Sequence, residues 1–140
     1  MGGRGYPELT LATHEKPNTA AINVTKGVAI ASELEIATSF AARSQGLLGR
    51  SGLKPDTGLL IDPCSSIHMW FMRFPIDVIF LDKKNRVVGL RRNVKPWGMA
   101  RSWRGVKTLE LPVGVIASTK TQVGDIVAFQ SSAPKPEPAA

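Results

Sequence analysis

At 140 residues, with 43% hydrophobic and 21% charged residues, the chain has room for one domain with its own core. It is too short for two of ordinary size, and a disordered or fibrous protein is excluded. The single cysteine, Cys64, excludes an intramolecular disulfide and a thiolate zinc cluster. Of the 18 basic residues behind the net charge of +7, Lys83, Lys84, Arg86, Arg91, Arg92, Lys95, Arg101, Arg104 and Lys107 form a block with no acid among them, suited to phosphates or to a solubilising face.

Residues 1–19 are rich in Gly, Pro and polar types and are expected to form a flexible arm ahead of a single β-rich domain spanning 20–130. "AAINVTKGVAIASELEIATS" alternates, is β-branched and carries a turn candidate in "TKG", which predicts one or two strands. Ser39 is placed to cap a helix over "FAARSQGLLG", where Phe40, Leu47 and Leu48 would share a face and Gly49 would stop it. "TGLLID" is a short buried strand. "DVIFLDKKNRVVGLRR" is a hairpin turning at Asp82 to Asn85, and "PWG" is expected to bury Trp97 as a lid. "VKTLELP" is a further strand, "VGVIASTKTQ" a weak helix or crossover, and "VGDIVAFQ" the closing strand. "SSAPKPEPAA" at 131–140 is a Pro-rich tail with nothing to bury. Strands outnumber helices, so the expected fold is mostly β: an antiparallel β-sandwich or jelly-roll-like barrel with one or two short helices.

The segments "QGLLGRSGL", "GLLID", "HMWFMRFPIDVIFLD", "PW", "LELPVG" and "VGD" resemble, in order and spacing, the signature segments of the domain of unknown function 192 family, found mainly in bacteria and archaea. The resemblance covers roughly residues 22 to 130. It implies a compact, mostly β fold similar to a jelly-roll sandwich, and no assigned reaction. Members of that family often carry an N-terminal export or anchor segment. Here the N-terminus has no uninterrupted apolar core and the chain has no apolar run long enough to cross a membrane. As it stands the chain is expected in the cytoplasm, or exported if its native N-terminus has been trimmed.

The most informative stretch is "HMWFMRFPIDVIFLD", residues 68 to 82, which sets Arg73 and Asp77 inside an aromatic and methionine-rich run. As one straight strand it would be apolar on both faces, and four residues along it is about 13 Å, too far for a direct ion pair. Pro75 cannot donate to a ladder, so the chain is expected to bend there and re-aim its charges. Two accounts follow. Either Arg73 and Asp77 satisfy backbone groups or pair with Arg50 and Glu110, or Arg50, Arg73, Asp77 and Glu110 form a charged cluster in a cleft walled by Trp70 and Trp97.

Cys64 and His68 suggest a nucleophile and base, but no helix places them on one side and no third group orients the imidazole. A packed cysteine and a hydrogen-bonded histidine are expected instead. No metal spacing, phosphate loop, dinucleotide fingerprint or serine elbow is present, and no metal or cofactor is expected. Carboxylates are plentiful, yet no motif fixes a separation for hydrolysis.

The expected function is a non-catalytic module binding an unknown small ligand or protein through Arg50, Trp70, Arg73, Asp77, Trp97 and Glu110. A nucleic-acid or polyanion binder using residues 83–107, with Arg91, Arg92, Lys95, Arg101, Trp103 and Arg104 as contacts, is the alternative. An enzyme of unrecognised type built on the charged cluster is the third, and it would demand a carboxylate of perturbed pKa in a cleft.

Overall fold

The structure, a computed structural model, describes residues 19–131; the expected N-terminal arm and all but the first residue of the tail lie outside them. Strands β1 (Thr19–Asn23) and β2 (Val28–Ala37) make an antiparallel hairpin around "TKG", where the Asn23 side-chain oxygen accepts from the Lys26 amide. Ser39 then caps α1 (Phe40–Gln45), its hydroxyl accepting from the Ala42 amide at 3.1 Å.

This helix is shorter than the sequence suggests. It ends at Gly46, whose φ of 49° favours glycine. The common face of Phe40, Leu47 and Leu48 therefore never forms: Leu47 is buried while Phe40 and Leu48 are exposed.

β3 (Thr57–Ile61) returns beside β2 in parallel, pairing Glu33 with Thr57 and Ala37 with Ile61. This parallel pair departs from the all-antiparallel expectation, and α1 with the loop after it is the crossover that permits it. Next come β4 (Ser66–His68), β5 (Ile76–Leu81), β6 (Val87–Val94), β7 (Met99–Arg101) and β8 (Lys107–Leu111). The chain closes with α2 (Val115–Thr119) and β9 (Val127–Ser131).

Seven strands form one sheet in the order β6-β5-β8-β3-β2-β1-β9, and β4 and β7 pair separately. A bridge between Arg86 and Ile126 joins the two outer strands at one end, so the large sheet is curled into a half-barrel. The fold is mostly β with two short helices, as expected.

β5 is buried at every position, which accounts for the two apolar faces of the 68–82 stretch. Ile79 and Leu81 join Leu34, Leu60, Leu109, Leu111 and Ile116 of α2 in one core. Ile76, Val78 and Phe80 join Leu59, Ile61, Met69 and Met72 in a second core across the sheet. The run breaks ahead of Pro75 and not at a single point: β4 ends at His68, β5 begins at Ile76, and residues 69–75, with bends at Arg73 and Phe74, carry the chain between the two sheets.

Candidate functional site

The second core is incomplete on one side. Between α1 and the 61–72 segment lies an open cleft of about 560 Å³, walled by Arg43, Leu47, Cys64, Ser66, His68, Trp70 and Phe71, with Glu110 also lining it.

Register puts Glu110 there. Leu109 and Leu111 of β8 face the first core, so Glu110 faces the second. Glu110 lies opposite Leu59 of β3, which lies opposite Glu35 of β2, so the three form a row across one face. At the outer end, the Arg50 guanidinium donates to both Glu35 oxygens at 2.9 Å. At the inner end Glu110 is 6% exposed, and among the described residues its carboxyl makes no hydrogen bond or ion pair. Burial pushes its pKa up to about 7, and the nearby Arg50 charge opposes that rise.

Arg43 and Cys64, also in the cleft, are hydrogen-bonded to backbone carbonyls. Arg43 donates to the carbonyls of Thr38 (3.2 Å) and Pro63 (3.4 Å) and lies over the Phe40 ring. The Cys64 thiol donates to the Ser66 carbonyl at 3.1 Å, while the Cys64 carbonyl accepts from the Thr108 hydroxyl. Burial pushes the thiol above its ordinary value despite those hydrogen bonds. His68 stacks on Trp70 with ring centroids 4.7 Å apart, and Trp70 is half exposed.

Phe71 and Trp97 pack together at 5.0 Å. Both have left-handed backbones, with φ of 65° and 71°, a conformation that costs bulky residues about 1 kcal/mol or more and concentrates at functional sites. Trp97 is 61% exposed, so it is no lid on the core; the Met69 carbonyl holds its amide at the cleft rim instead.

The structure thus brings Trp70 and Glu110 together, with Trp97 beside them through Phe71 and Arg50 behind them through Glu35. Arg73 is exposed on the 69–75 loop. Asp77 pairs across the ladder with Leu111, so it projects from the face opposite Glu110. There its carboxylate accepts from the amides of Asn93 (2.9 Å), Gly114 (3.1 Å) and Ile116 (3.0 Å). It supplies the N-terminal cap that Gly114 cannot.

Cys64, His68, Arg43 and Ser66 of the cleft are absent from the sequence-derived site. Cys64 and His68 come to one wall through β3, the turn after it and β4, a path with no helical periodicity to reveal it. In the basic block, the Arg91 guanidinium donates to the carbonyls of Leu90 and Arg101. Arg101 in turn lies 4.7 Å over the exposed Trp103 ring. Arg92, Lys95 and Arg104 are exposed. Among the described residues no three His, Cys, Asp or Glu side chains are grouped to hold a metal, and no helix is long and apolar enough to cross a membrane.

Fold and cleft together define a small half-barrel β protein with a polar-floored, aromatic-rimmed hollow. The DUF192 family, described as an uncharacterized ACR, matches residues 21–129, and the chain belongs to it. A UPF0127 protein of Thermococcus sibiricus (strain DSM 12597 / MM 739) is 37% identical over 118 residues, covering 78% of this chain and 73% of its own. Two solved structures share the fold. A candidate transcription regulator from Sinorhizobium meliloti 1021 has a TM-score of 0.70 at 22% identity, covering 86% of this chain and 98% of its own. A protein of unknown function from Novosphingobium aromaticivorans DSM 12444 has a TM-score of 0.69 at 21% identity, covering 91% and 99%.

Proposed function

We propose that this chain is a non-catalytic binding module whose site is the cleft between α1 and residues 61–72. The observation that carries this reading is Glu110, a buried carboxyl on a cavity wall that makes no side-chain hydrogen bond or close ion pair among the described residues and feels the Arg50 charge only at a distance. Buried ionisable groups are normally paired or hydrogen-bonded, so one left open to a hollow is matched to a group from outside. The exposed aromatic rim supplies apolar contact area around that polar anchor.

Binding is favoured over covalent chemistry because the adjacent thiol is pushed away from its nucleophilic form and His68 is engaged by Trp70. A fragment library titrated into ¹⁵N-labelled protein tests the proposal. Binders should move amide resonances at residues 43–48 and 61–72 and lose affinity in Trp70→Ala. Shifts confined to other surfaces would remove the cleft from consideration.

A second reading, binding of polyanions, is supported by the contiguity of Arg91, Arg101 and Trp103, which sets guanidinium charge beside a stacking surface. Filter binding of single-stranded oligonucleotides should then show retention at low salt that falls steeply as salt rises. Failure to retain them at low salt would dismiss it.

A further inference from the structure

Resting on the cleft as the ligand site, we infer that its occupant is a small organic cation, an amine or amidine on an aromatic or apolar body, with the Glu110 carboxylate as counter-ion. In its ionised form, which prevails above about pH 7, the carboxyl is an acceptor only, so its ligand there brings donors, and a positive donor offsets the desolvation of a buried anion far better than a neutral one.

Among the described residues no side chain hydrogen-bonds or closely ion-pairs with Glu110, and the Arg50 charge acts on it only from a distance. The charged and titratable groups near it are Arg43 from α1, Arg50 from the following loop, Glu35 from β2, and Cys64 and His68 from the segment after β3. Arg50 is held bidentate by Glu35 and Arg43 is tied to two carbonyls. The adjacent strands β3 and β5 offer only Leu59 and Val78 beside it. Arg50 is ion-paired with Glu35, which leaves Arg43 as the guanidinium of the cleft without an acidic partner among the described residues.

The rim fits the rest of such a molecule. Trp70 and Phe71 are half or more exposed and line the same cleft, which gives an aromatic or apolar body a surface to pack on. Placing the charge on Glu110 and the body against Trp70 uses both features at once.

The test titrates matched probes into the full chain by ¹H–¹⁵N NMR: benzylamine, 2-phenylethylamine and tryptamine against benzyl alcohol and 2-phenylethanol. The amines should shift cleft resonances, bind at least tenfold tighter than the alcohols, and weaken about tenfold from pH 8 to pH 6 as Glu110 takes up its proton. Glu110→Gln should remove that preference and that pH dependence. Trp70→Ala, at an exposed position, should weaken amines several-fold while Glu110 stays in place. If the alcohols bind in the cleft as well as the amines and Glu110→Gln changes nothing, the cation assignment falls while the cleft stands as a site. If no probe moves cleft resonances, both fall.

Discussion

Glu110→Gln tests the environment of the cleft floor without any ligand. Burial holds the Glu110 carboxyl at about 7 against an ordinary value of 4.5. Between those two values the folded chain keeps a proton that the unfolded chain has released, so stability falls as pH rises through that window and levels off above about 7. At ~1.4 kcal/mol per pH unit, the ionised carboxylate costs the fold about 3 kcal/mol at pH 8 relative to pH 4.5. Glutamine has nearly the same shape and no such charge. Urea unfolding of both proteins at half-unit steps from pH 4.5 to 8 isolates this group, because the other titrations cancel in the difference. The variant should gain about 3 kcal/mol on the parent across that range. A difference that stays constant to within about 0.5 kcal/mol would refute the buried, unpartnered placement of Glu110.

Three other outcomes follow from named contacts. Asp77→Ala orphans three amides, of which that of Ile116 is buried, and should cost about 3–5 kcal/mol in urea unfolding. Gly58→Ala would set a methyl 2.8 Å from the Leu111 side chain and 3.1 Å from the Glu110 carbonyl, costing about 1–3 kcal/mol and disturbing the strand that carries the anchor. The Cys64 thiol, held above its ordinary value of 9.0 by burial, should react with iodoacetamide more slowly at pH 7.5 than a free cysteine peptide does. Its rate should still be rising at pH 9, which mass spectrometry of the intact protein can follow.

What was legible in the sequence was local. The Ser39 cap, the hairpin turning at Asp82 to Asn85 and the closing strand depend on signals within a few residues, as does the break in the strand ahead of Pro75. The parallel return of β3 against β2 joins segments separated by a helix and a loop, and nothing in either names the other as neighbour. The charges illustrate the same limit. Asp77 and Glu110 were both visible as ionisable residues in apolar runs, yet their opposite directions follow from the register of β5 on β8, which pairs residue 78 with residue 110. Asp77 proved to serve the backbone of α2, and Arg50 found Glu35, a partner hidden in the alternation of β2. The shared face of Phe40, Leu47 and Leu48 does not form because Gly46 ends the helix early, and Trp97 is exposed, not buried, because the 95–98 turn carries its indole outward.

Separate pairing of β4 with β7 sets the wall of the hollow apart from its floor. One wall is made from a two-stranded unit whose own ladder is extended by the bonds from Ser102 to Ser65 and Met69 to Gly98, and which a backbone link from Cys64 to Val106 ties to its surroundings. The opposite floor belongs to the seven-stranded ladder. Local opening of the small ribbon therefore leaves the large ladder intact, and its amides should exchange with deuterated solvent well before those of β5 and β8. The wall and the floor of the hollow thus belong to different hydrogen-bonded units of one short chain.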